Sequence, residues 1–286
     1  MKSTLIAFVL ACFALASPAH AQGAPDTLGK IKASKAITVA FSTDSLPFSF
    51  VGDSNKPAGY SIDLCERIVN YIGRAIGVSD IKINWVPATA AERVQLVATG
   101  KADMDCANTT MTQTRLRTVD FSSLIFIDGG GFVVKSNAPI NRFTDLNGKK
   151  VAVIKGTTTQ ARLETAMKDR LVNAQVTLIN DGNEGIALLA SGEVDAYAGD
   201  KIKLIGLVVQ AKDPDGYAML NEDLSFEPYA LALPRGDSAF RLEVNKALTQ
   251  IYVSGDIDGI FGKWLGKLGR PSGLLAAMYL LNAIPE

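Results

Sequence analysis

Histidine is almost missing from this chain of 286 residues, and its one copy, His20, stands near the N-terminus. The surrounding stretch opens with Lys2, runs through apolar residues 5–16 and closes on Ser17-Pro-Ala-His-Ala21 ahead of Gln22. A basic start, a short apolar centre and an Ala-x-Ala end predict a secretory signal peptide, residues 1–21, cut after Ala21. The mature chain then lacks imidazole. That excludes His-activated nucleophiles and His-containing zinc sites. Cysteine is scarce too: only Cys65 and Cys106 follow the signal. In an exported protein they are either a disulfide or two buried thiols. No apolar run reaches the roughly 20 residues that span a bilayer; residues 5–16 and 274–281 both fall short. Charge of one sign is also missing. With Lys2 removed, the basic residues number one fewer than the 29 acidic ones, and no basic stripe invites nucleic acid.

What is present is length enough for two lobes and an internal repeat. Glu92-Arg-Val-Gln-Leu-Val-Ala-Thr-Gly100-Lys-Ala-Asp103 recurs as Glu184-Gly-Ile-Ala-Leu-Leu-Ala-Ser-Gly192-Glu-Val-Asp195. Each copy predicts a helix stopped by a glycine and then a short strand. Around them, strands are predicted at 36–41, 82–86, 131–135, 149–155, 175–179 and 229–233. Helices are predicted at 61–76, 160–168 and 238–253. Strands alternating with helices predict two mostly parallel sheets, with ligands bound at the C-terminal ends of the strands.

Polar clusters fall at those ends. After the 103–106 strand comes Ala107-Asn-Thr-Thr-Met-Thr-Gln-Thr-Arg115, too rich in hydroxyl and amide groups for one helix cap. Small hydroxyl residues at a helix start donate hydrogen bonds to anions, and the arginine fork suits a carboxylate. Gly156-Thr157-Thr158-Thr159 repeats the design in the second half, where a plain cap needs only one threonine. Asp200, after the second copy's strand, supplies a counter-charge for an ammonium. Read singly, it is a solvated loop aspartate.

Together these residues resemble the periplasmic solute-binding proteins of polar amino-acid ABC transporters, the glutamate/aspartate and general amino-acid branch. The resemblance rests on Pro47-Phe-Ser-Phe50, Gly59-Tyr-Ser-Ile-Asp-Leu-Cys65, Asn108-Thr-Thr with Arg115, Asp120-Phe-Ser122, Gly156-Thr-Thr-Thr159, the 191–200 segment and Lys263-Trp-Leu265. It implies an α/β periplasmic-binding-protein type II fold, two lobes joined by two hinge strands and closing on one ligand. Lobe 1 would comprise 22–128 with 228–286, and lobe 2 residues 129–227. By matching position, Arg115 would hold the α-carboxylate with Thr110 and Thr157, Thr158 or Thr159. Asp200 would hold the α-ammonium with Asn108 nearby. Ser42, Ser45, Tyr60, Arg93 and the 182–183 turn would line the side-chain pocket. Acidic-ligand members often carry an arginine where Ser42 stands and a histidine near Gly182; this chain has neither.

Two function classes follow. One is a periplasmic monomer without cofactor that captures a polar L-amino acid and hands it to an ABC permease. Glutamate, aspartate or their amides are the expected ligands. The other is an enzyme on the same fold, resembling the cyclohexadienyl dehydratases. It needs an aimed acid or base, and neither histidine nor a glutamate stands in the matched positions. For the cysteines, Cys65 lies on the apolar stripe of its helix and Cys106 shares a strand face with Ala102 and Met104. Both faces point into the lobe 1 core, which favours the disulfide over two buried thiols.

Overall fold

The computed structural model describes residues 26–285, so the signal-peptide reading lies outside the described residues. Helix Tyr60–Ile76 shows how the first core forms. Its stripe of Ile62, Leu64, Cys65, Ile68, Val69 and Ile72 is at most 2% exposed. Burial of each such side chain stabilises the fold by about 1.5–3 kcal/mol. Gly77, with φ of 71°, takes the left-handed conformation that ends the helix. The stripe packs with Phe48, Phe126, Leu231, Phe240 and Leu248, and with Leu275 and Met278 of helix Gly273–Asn282. A second group of cores, around Phe132, Phe143, Val153, Leu163, Tyr197 and Leu204, contains residues 132–220.

The strands fall in the order Lys82–Pro87, Ala36–Phe41, Met104–Asp105, Ser225–Leu233, Asp120–Lys135, Ala196–Asp200, Lys150–Ile154 and Gln175–Ile179. The outer strands on each side pair in parallel. Between them run two long antiparallel strands, Asp120–Lys135 and Ser225–Leu233, which join both sides into one path. The first is 16 residues long, where only its last five were expected from sequence. Its apolar residues enter the first core through Ile125 and Phe126 and the second through Phe132 and Val134. Glycines separate the two sets. A Cβ at Gly130 would lie 2.2 Å from Ser225 Oγ, so a larger residue there would have to displace that hydroxyl.

The internal repeat folds alike in both copies. Helix Arg93–Ala98 is followed by Gly100 at φ 70° and the strand Met104–Asp105. Helix Gly182–Ser191 is followed by Gly192 at φ 82° and the strand Ala196–Asp200. Each repeat therefore delivers its chain to the same place, the cleft between the two groups of cores.

Cys65 and Cys106 form a disulfide, their Cα atoms 6.3 Å apart. It ties the buried stripe of helix Tyr60–Ile76 to the segment that opens the polar cluster. Among the described residues, no helix is long and apolar enough to cross a membrane.

Candidate functional site: the cleft between the cores

The cleft is a cavity of about 150 Å³, below the roughly 300–1,000 Å³ of pockets for drug-sized ligands. Its walls come from both sides. Ser45, Arg93, Asn108, Thr110 and Arg115 line one, and Thr157, Thr158, Thr159, Asp200 and Lys203 the other.

Asp200 caps helix Lys201–Gln210 and gathers three donors. Asn108 Nδ2 reaches Oδ2 at 2.9 Å across the cleft, Tyr229 OH reaches the same oxygen at 2.7 Å, and Thr159 Oγ1 donates to Oδ1 at 3.0 Å. Arg115 Nη1 donates to the Thr110 carbonyl at 2.7 Å. Burial, and then the neighbouring Arg93, pull the Arg115 guanidinium below its usual pKa, with partial relief from Asp105, Glu227 and Asp200. A bound anion would relieve that strain on the charge.

The three threonines divide their work. Thr157 is an ordinary N-cap: its hydroxyl donates to the Ile154 carbonyl and accepts from Gln160 N at 3.2 Å. Thr158 donates to Glu227 Oε2 at 2.7 Å, and Thr159 goes to Asp200. Gly156 lies at φ 74°, and a Cβ there would meet Ala91 Cβ at 2.8 Å across the cleft.

Arg93 is 5% exposed. Its Nε donates to Thr109 Oγ1 at 2.8 Å and Nη2 to Asn108 Oδ1 at 3.2 Å, with Asp105 3.7 Å away. Nη1 is buried without a partner among the described residues, as are Asp105 Oδ1 and the Tyr197 hydroxyl.

Three expected lining positions sit elsewhere. Tyr60 does not reach the cleft. It is the first residue of its helix, turned inward against Phe48 and Phe126. Its hydroxyl donates to the Ile125 carbonyl at 2.7 Å and pairs with Tyr279 OH at 2.9 Å. The Gly59-Tyr-Ser motif is thus packing. Ser42 lies one layer behind the wall, its Oγ 2.8 Å from Ser45 Oγ and 3.0 Å from Asp44 Oδ1. Gly182 donates its N–H to Asp44 instead of facing the cavity.

Sequence reasoning missed four acids or bases. Asp44 and Lys203 form an ion pair of 3.0 Å across the cleft. Glu227 takes hydroxyls from Thr110, Thr158 and Ser225. Burial, then Asp200, raise its pKa, while these hydroxyls work the other way. Asp128, on the long central strand, is pushed up to about 7 by burial and then by Asp200. No local motif marks these four; only the crossing of the strands and the closing of the walls brings them in.

With this geometry in view, residues 37–267 match the model of the bacterial extracellular solute-binding proteins, family 3. The chain belongs to that family. It is 33% identical over 272 residues to an L-glutamate/L-aspartate-binding protein of Pseudomonas aeruginosa, covering 95% of this chain and 90% of that one. It is 29% identical over 254 residues to a glutamate/aspartate import solute-binding protein of Escherichia coli, covering 89% and 84%. Among solved structures, it resembles an ancestral arginine-binding protein bound to arginine, at 30% identity and TM-score 0.73, covering 81% of this chain and 99% of that one. It also resembles an ancestral amino acid-binding protein described as a precursor of cyclohexadienyl dehydratase, at 29% identity and TM-score 0.71, covering 84% and 99%. Family 3 membership accounts for the α/β periplasmic-binding fold and for a cleft at the strand ends.

Proposed function

We propose that this family 3 protein is the periplasmic, monomeric binding component of an ABC importer. It captures a polar L-amino acid between two lobes and delivers it to the membrane permease. Residues 22–128 with 228–286 make one lobe and 129–227 the other, and the central strands Asp120–Lys135 and Ser225–Leu233 carry the hinge. The ligand α-carboxylate goes to Arg115 with Thr110, Thr158 and Thr159, and the α-ammonium to Asp200 with Asn108 beside it. The observation that carries this reading is the opposition, within one small cavity, of a partly buried arginine and an aspartate held by three donors. That is the complement of a zwitterion. Closure is a population shift, because only the closed form engages the ligand from both sides.

For the side chain, the names of the relatives point to glutamate, aspartate or an amide. The buried, unpartnered Nη1 of Arg93 supports a side chain with an oxygen acceptor. Catalysis fits less well. Asp44 is ion-paired, Asp200 and Glu227 each hold three donors, and Asp128 is buried behind them. None is left as an aimed base.

A thermal-shift screen against the twenty amino acids tests this. A ligand at 100 times its dissociation constant stabilises the protein by about 2.7 kcal/mol. No response to any of them would contradict the proposal.

A further inference from the structure

Asp44 and Lys203 are neither alternatives to the zwitterion clamp nor part of it. Lys203 follows Asp200 by three residues, so it lies on the same face of helix Lys201–Gln210 as that N-cap residue. Both residues line the cleft, their side chains 18% and 8% exposed. They come from opposite walls: Asp44 precedes Ser45 near the first strand, and Lys203 stands in the helix after Asp200.

Their hydrogen-bond capacity is nearly spent. Asp44 Oδ2 accepts from Lys203 at 3.0 Å and from Gly182 N at 2.8 Å, and Oδ1 accepts from Ser42 at 3.0 Å. A carboxylate has about four lone-pair positions, so one is left. Lys203 has three protons. One goes to Asp44 and one to Ser45 Oγ at 3.4 Å, so one donor is left. Burial raises the Asp44 pKa, but Lys203, Gly182 and Ser42 more than offset it, so the carboxyl stays ionised. Tyr197 lines the same cleft, fully buried, its hydroxyl unpartnered among the described residues. Burial and then the charges of Asp44, Asp200 and Asp181 push its pKa far up, so it remains a donor.

The local inventory is therefore two donors and one acceptor on a pair with no net charge. We infer that Lys203, Asp44 and Tyr197 form a side-chain subsite that selects a carboxamide, its oxygen taken by Lys203 and Tyr197 and its nitrogen donating to Asp44. A carboxylate in the same place would share one ammonium with an ionised Asp44, and like charges so close disfavour each other. A cationic side chain would meet Lys203. The inference rests on the proposed amino-acid clamp and ranks its ligands: glutamine or asparagine above glutamate, and glutamate above lysine.

The test is calorimetric titration of wild type, Lys203→Met and Asp44→Asn with L-glutamine, L-glutamate and L-norvaline, the last having an apolar side chain. Wild type should bind L-glutamine at least about 10-fold more tightly than L-glutamate. Lys203→Met should lose about 30-fold or more for L-glutamine, as for truncation of one partner in a buried polar contact, while L-norvaline changes by less than about 3-fold. Asp44→Asn should shift the glutamate-to-glutamine ratio toward glutamate by about 10-fold. Equal losses for all three ligands would mean the pair only latches the walls and would overturn the subsite. A wild-type preference for L-glutamate would also overturn it, leaving the clamp intact. Failure of wild type to bind any of the three would overturn the subsite, and failure with all twenty amino acids would overturn the clamp as well.

Discussion

Replacing Asp128 with asparagine should remove much of the protein's loss of stability as pH rises, apart from a pH-independent cost of facing the Ile202 N–H with an amide nitrogen. Asp128 sits on the central strand with Tyr229 OH 3.1 Å away, and the same hydroxyl is 2.7 Å from Asp200. A tyrosine has one proton to give. With both acids ionised, one of these contacts has no hydrogen in it; a proton on Asp128 completes the chain from Asp128 through Tyr229 to Asp200. This agrees with burial, and then Asp200, raising Asp128 to about 7. In the unfolded chain an aspartate titrates near 3.9. Between those values the native state binds the extra proton, so stability from this group is complete below about pH 4 and is lost as pH rises through 7. Each pH unit is worth about 1.4 kcal/mol. From pH 5 to 8 the loss comes to about 2.5 kcal/mol. Asparagine keeps the donor and never ionises, so Asp128→Asn should gain that much on wild type over this range. Urea unfolding of both proteins at pH 5 and pH 8, without ligand, measures it. A wild-type-to-variant difference that does not change with pH would refute the reasoning.

Three other outcomes are expected. Ligand binding near pH 7 should release a fraction of a proton, because an ammonium on Asp200 favours ionised Asp128. Titrations in buffers of different ionisation enthalpy read this directly, and proton uptake would contradict it. Reducing Cys65–Cys106, which closes a separation of 41 residues, should cost about 4 kcal/mol by the loop-entropy relation; superimposed urea curves for oxidised and reduced protein would contradict it. Gly156→Ala should weaken binding of every ligand at least about 10-fold while leaving the disulfide-linked core intact. Its Cβ meets Ala91 across the cleft at a backbone angle only glycine takes freely, and unchanged titrations would show that the walls need not approach so closely.

Much of this molecule can be read from local pattern. The 3.6-residue stripe of Tyr60–Ile76 and the αL glycines at 100 and 192 are short-range signals, and each forms the element it predicts. The polar cluster is legible for the same reason, since Asn108, Thr110 and Arg115 line the cleft where the strand ends. What local pattern misreads is direction. Tyr60 looks like a pocket tyrosine by position, yet the first turn of its helix turns it into the core, where Tyr279 meets it from 219 residues away. What local pattern misses altogether is assembled at long range. Asp44 and Lys203 are 159 residues apart, and Thr110 and Glu227 are 117 apart. The extent of the Asp120–Lys135 strand was equally hidden, because its partner is the distant Ser225–Leu233.

The central claim, that Arg115 and Asp200 clamp the two ends of an amino acid, is tested most directly by calorimetric titration of Arg115→Ala and Asp200→Asn against the amino acids that wild type binds. Each variant leaves one ligand charge desolvated without its partner, a loss of about 2–5 kcal/mol, or roughly 30-fold to several thousand-fold in affinity. The account predicts that loss for every ligand, whatever its side chain, while Arg93→Ala re-ranks the ligands among themselves. Near-wild-type affinity of Arg115→Ala for all of them would contradict it.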